Sequence, residues 1–81
     1  MKEFDMQLRE TFRANVARER RKLGLKQYEL ARKMGVHASY ICDVELGKKV
    51  PGIDMIERFA DALSLHPASL FTPVPEAVSG L

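Results

Sequence analysis

The feature that most constrains this chain is a glycine turn, at Gly35, set between two short runs of helical spacing. Before the turn, Gln27 to Met34 puts Leu30, Ala31 and Met34 on one face; after it, Ala38 to about Leu46 puts Ile41 and Val44 together. Ala31 lies where the paired helices must approach closely. Gly35 supplies the left-handed backbone that reverses the chain, and Val36 and Ile41 hold the second helix against the first. With Ile41 inward and about 100° per residue, Ser39 and Asp43 fall on the opposite side of the second helix, flanked by Cys42. That outer face is left free.

Three more helical segments follow from apolar spacing and breaker residues. One runs from about Asp5 to Leu23, with Leu8, Phe12 and Val16 as its core stripe and Gly24 as its stop. The helix after the turn closes at Gly47, just before Lys48 and Lys49, and Pro51-Gly52 then breaks the chain. Another, from Ile53 to Leu63, is expected to turn Ile53, Ile56, Phe59, Ala60 and Leu63 inward. A short last helix begins near Pro67, since proline suits the first helical position, and carries Leu70 and Phe71. No strand pattern occurs. The fold class is therefore all-α with five helices, built as one domain over residues 1–72. A flexible tail is expected over 73–81, where Pro73, Pro75 and small residues offer little to bury.

Composition narrows the function classes. A chain of 81 residues cannot build a second core, so it acts by binding rather than by housing a large site. Its 46% hydrophobic and 30% charged residues are those of a globular domain. One cysteine, Cys42, cannot form an internal disulfide, which suits a reducing cytoplasm. No apolar run is long enough for a membrane span. His37 and His66 lack a paired cysteine cluster, so no metal or other cofactor is expected, and no nucleophile–base–orienter set points to an enzyme. Charge is unevenly spread. Residues 9–33 hold nine Lys and Arg against Glu10, Glu19 and Glu29, whereas from Val50 onward only Arg58 opposes Asp54, Glu57, Asp61 and Glu76. A basic half of this kind suits a polyanion partner or forms a solvated helix face.

The residues Arg20-Arg21-Lys22-Leu23-Gly24-Leu25-Lys26-Gln27, Glu29-Leu30-Ala31, Gly35-Val36, Ser39-Tyr40-Ile41, Glu45-Leu46-Gly47-Lys48-Lys49 and Pro51, followed by Phe59-Ala60-Asp61-Ala62-Leu63, carry a resemblance. Over roughly Phe12 to Phe71 the chain resembles the phage repressor, Cro and Xre type of helix-turn-helix regulators. Among stand-alone members it looks like restriction-modification controller proteins and antitoxins. The resemblance implies a repressor-like fold that binds double-stranded DNA, with residues 38–46 as recognition helix. Gln27 matches a position that anchors the DNA backbone. That role fits an amide at a helix N-terminus, although a plain helix-start residue fits too. Ala38, Ser39, Tyr40 and Asp43 match positions that face bases or nearby phosphates, with Tyr40 either reaching the DNA or packing beside the turn. Lys48 and Lys49 follow the helix and are expected to meet phosphate unless they only solubilise. Arg20 and Glu45 match a family ion pair that links the first helix to the end of the recognition helix.

Departures from the family pattern matter as well. Where serine or threonine often begins a helix, this sequence has Lys26, His37 and Gly52. A lysine N-cap accepts no hydrogen bond and opposes the helix dipole, costing about 1 kcal/mol; a phosphate at Lys26 would reverse part of this. The leading expectation is a homodimeric transcriptional regulator on an inverted-repeat operator, since one recognition helix reads too few base pairs alone. The dimer surface is expected around Leu65, Leu70 and Phe71, unless these merely close the core. The alternative is an antitoxin that binds a toxin partner and represses its own promoter.

Overall fold

The computed structural model describes residues 2–74, with side chains from Gln7 onward. The chain runs through α1 (Lys2–Lys22), α2 (Gln27–Met34), α3 (Ala38–Glu45), α4 (Ile53–Ala62) and a closing 3-10 helix, Pro67–Phe71. No strand occurs among the described residues. Four α-helices and one 3-10 turn thus make up the all-helical fold. The fifth segment is short and starts at a proline, and its His66 cap accepts from the Ala68 N–H through Nδ1. Of the expected tail, Pro73 and Val74 are described and exposed, while 75–81 lie outside the described residues.

All four α-helices stop in the same way. One residue turns left-handed, and the next donates its N–H five residues back: Leu25 to Arg20, Val36 to Ala31, Lys48 to Asp43 and Leu65 to Ala60, at 2.8–3.1 Å. This is the Schellman arrangement, which satisfies the last carbonyls and swings the following side chain back over the helix. Leu25, Val36 and Leu65 use that swing to pack against the core. The left-handed residues are Gly24, Gly35, Gly47 and, at φ 59°, Ser64.

Further bonds tie the ends of α2, α3, α4 and the 3-10 helix to other elements. Arg13 of α1 donates to the Glu45 carbonyl that ends α3 (3.2 Å), and Lys33 of α2 donates to Ala62 at the end of α4 (2.9 Å). Arg58 of α4 donates in turn to the Met34 carbonyl at the end of α2. Asn15, buried on α1, gives its Nδ2 to the Leu70 and Thr72 carbonyls (2.9 and 3.1 Å) beneath the 3-10 helix. Cations at helix C-termini also complement the helix dipole.

The core lies where these elements converge. Phe59 is fully buried, with Phe12 against it edge-on at 5.9 Å and Tyr40 stacked on it at 6.2 Å; Phe71 stacks on Phe12 at 5.2 Å. Val16, Leu30, Met34, Ile41, Val44, Leu63 and Leu70 fill the remainder. Burial of a side chain such as Phe59 stabilises the fold by up to about 3 kcal/mol. Two expected core residues face outward instead. Leu8 is 50% exposed because packing on α1 starts only at Phe12, and Ile53 is 71% exposed as the first residue of α4. Conversely, Leu70 is fully buried, and Leu65 and Phe71 pack on the core. All three thus help to close the domain, and only Leu65 and Phe71 keep part of their surface exposed.

Candidate nucleic-acid interface

The turn at Gly35 sets α2 and α3 against each other and leaves one side of α3 outward. Ala38 and Ser39 are exposed at its start; Cys42 and Asp43 are half-buried one turn on, while Ile41 and Val44 face the core. His37 at the N-cap makes no side-chain cap bond, so the first N–H groups of α3 keep their donors for an outside acceptor. At the other end the Asp43 carbonyl accepts from the backbone N–H of Lys48 (2.8 Å) and Lys49 (3.3 Å). Both lysines are thereby held beside α3 with exposed side chains, and the Lys49 ammonium lies 5.7 Å from the Tyr40 ring centre. Burial raises the Tyr40 phenol above its usual range. Its ring is packed on Phe59, so Tyr40 flanks the turn rather than standing out from α3.

A buried polar knot fixes α3 in place. Arg20 donates through Nε to Glu45 Oε2 at 2.6 Å and through a terminal nitrogen to Oε1 at 2.9 Å, and also to the Leu25 carbonyl at 2.8 Å. Glu45 holds the guanidinium more firmly protonated than usual, against the opposing effect of burial. The Gln27 amide completes the knot, donating Nε2 to Glu45 Oε1 at 3.0 Å. Glu45 thus receives donors on its carboxylate from α1 and α2, and on its carbonyl from Arg13. Sequence spacing places Gln27 at a helix start but does not reveal that its amide leans on Glu45. Lys26 sits at the N-cap of α2 in extended backbone; the Glu29 carboxylate accepts from its backbone N–H at 2.7 Å, whereas its ammonium has no lone pair for the return bond.

The basic stretch is less available than its composition suggests. Arg13 is engaged with Glu10 and Glu45, Arg18 with Asn15 and Glu19, Arg20 with Glu45, Lys22 with Glu19 and Lys33 with Ala62, while Arg32 lies over Tyr28. By contrast, Lys49, like Arg32, only lies over a tyrosine ring, and Arg9, Arg21, Lys26 and Lys48 make no ion pair among the described residues. Nor do His, Cys, Asp and Glu gather there into a group able to hold a metal, and no helix there is long and apolar enough to cross a membrane.

A short helix held at both ends across a glycine turn, with a polar outer face and lysines at its close, defines a helix-turn-helix DNA-binding domain. Comparison with known proteins gives the family: the helix-turn-helix family HTH_3 matches residues 16–70, and the chain belongs to it. It is 32% identical over 75 residues to an uncharacterized HTH-type transcriptional regulator, y4dJ, of Sinorhizobium fredii, covering 93% of this chain and 97% of that one. Among solved structures it is similar to the hypothetical transcription factor NHTF from Neisseria, at TM-score 0.80 and 30% identity over 91% of this chain and 85% of that one. The restriction-modification controller protein C.AhdI from Aeromonas hydrophila aligns at TM-score 0.71 and 33% identity, over 74% and 87%. The clp gene regulator ClgR from C. glutamicum aligns at 0.74 and 26%, over 91% and 92%. The chain is an HTH-type, DNA-binding transcriptional regulator of a non-enzymatic family.

Proposed function

We propose that this regulator acts inside the cell as a homodimer on an inverted repeat, each copy laying α3 in the major groove of one half-site. The observation that carries the reading is the outward face of α3, where exposed Ser39 and half-buried Asp43 lie one turn apart on a helix clamped by Glu45. In this reading Ala38, Ser39 and Asp43 approach base edges. Lys26, Lys48 and Lys49 approach phosphates on either side, with the second amide N–H of Gln27. Tyr40 serves from behind, its ring placing the Lys49 ammonium. Residues 1–72 are the DNA-binding unit and 73–81 a tail. The likeness to a restriction-modification controller supports the operator-binding reading over the antitoxin one.

Asp43 provides the test. A carboxylate accepts but does not donate, and in the major groove the donors on base edges are cytosine N4 and adenine N6. Adenine adds the acceptor N7, which repels a second carboxylate oxygen. Cytosine is therefore preferred opposite Asp43, by about 1–3 kcal/mol for a well-made contact. Selection of bound sites from random duplex DNA is expected to return an inverted repeat with cytosine at one position of each half. With Asp43→Asn, overall affinity should rise as phosphate repulsion falls, and the preference should move to adenine. Uniformly tighter binding with unchanged base preference would remove Asp43 from direct readout, and no enrichment at all would overturn sequence-specific binding.

A further inference from the structure

The face beside α3 carries an apolar groove that the described residues do not fill. It encloses about 550 Å³ between the exposed part of α1, the loop after α3 and the start of α4. Phe12, Ile56 and Phe71 form its floor, and Leu8, Val50 and Ile53 stand along its edges at 50%, 57% and 71% exposure. Small monomeric domains seldom leave apolar side chains of this size gathered in one open patch. We infer that the groove is the seat of a second copy of this chain, the Ile53 edge of each protomer entering the groove of the other.

Charge complementarity selects this occupant. Arg9, Arg13 and Lys49 line the groove against a single acid, Glu10, which is paired with Arg13, whereas the helix that carries Ile53 continues with exposed Asp54 and Glu57. A two-fold arrangement that inserts Ile53 brings the acidic start of one α4 to the basic rim of the other copy, as a self-complementary contact requires. The position suits DNA binding as well. Gly47, two residues past α3, is in the groove wall, so an axis through the groove turns the C-terminal ends of the two copies' α3 helices toward each other.

This inference rests on the proposed dimer, and sedimentation of the full chain over a concentration series, free and on operator DNA, separates the two. The wild type is expected to associate. Ile53→Glu removes only an exposed side chain and puts an acid in the first turn of α4, where the helix dipole favours it, so the domain stays folded by circular dichroism. Dimerisation should weaken about tenfold or more. Ile53→Lys should weaken it further, since it meets Arg9 and Lys49. A wild-type dimer indifferent to both substitutions overturns the groove and leaves the dimer standing. A wild-type chain monomeric both free and on DNA overturns the dimer itself. If the full chain is monomeric but dimerises once residues 75–81 are removed, the chain's own tail is the occupant and the second-copy seat is overturned.

Discussion

In the proposed interface, Lys26 stands at a position where stability and DNA binding pull in opposite directions. Its backbone N–H is already bonded to the Glu29 carboxylate, so half of a capping box exists and only an accepting side chain is missing. Lys26→Ser supplies that oxygen and removes a positive charge from the helix N-terminus, which should stabilise the fold by about 1 kcal/mol and raise Tm by roughly 4–8 °C. Duplex affinity should fall in the same protein, measured by titration at fixed salt. If both quantities rise, Lys26 makes no phosphate contact. At this scale the sequence is legible where a residue's local chemistry suffices, as with a lysine that cannot cap. Asn15 shows the opposite case. Its place beside Phe12 and Val16 marks it as a polar residue on a core stripe, but the carbonyls that its Nδ2 holds lie more than fifty positions away, at Leu70 and Thr72.

Among the elements, α3 depends most on others for its pose. Arg20→Met leaves the Glu45 carboxylate buried without its cation and should cost about 3–5 kcal/mol. Replacing both residues, Arg20→Met with Glu45→Met, removes the uncompensated charge and should recover most of that loss, as apolar replacement of a buried pair often does. DNA affinity should stay low in the double variant, because the Gln27 amide has lost the acceptor that aims it. Chemical denaturation and duplex titration of both proteins check this; wild-type affinity in the double variant would show that the knot does not position α3. Helix boundaries were largely legible because three of the four left-handed stops are glycines. The fourth, at Ser64, carries no such signal, and the end of α4 had to be read from apolar spacing. Periodicity also says which face is apolar but not where the opposing element begins, which is why Leu8 and Ile53 follow the apolar spacing and yet stand exposed.

For the molecule as a whole, the internal use of its arginines changes what DNA binding can look like. Composition alone offers the entire basic stretch to phosphate, yet Arg13, Arg20 and Lys33 are spent on carbonyls and carboxylates 25–32 positions away. If Lys26, Lys48 and Lys49 of two copies carry the phosphate contacts, log affinity should fall with log salt at a slope of about −5. A slope several times steeper would return the internally paired arginines to the interface, and a flat response would remove phosphate from it. The same internal bonds govern how the domain comes apart. The ends of α2, α3 and α4 are each gripped by another helix, so none can fray without loosening a second element. Amide exchange in the last turns of these helices should therefore be nearly as slow as at their centres, and a gradient along each helix would contradict this. A helix-turn-helix core that opens only as a unit gives a protease no half-unfolded state within it to cut, so the core's lifetime follows the global folding equilibrium. Operator binding shifts that equilibrium, and copies seated on DNA should outlast free ones.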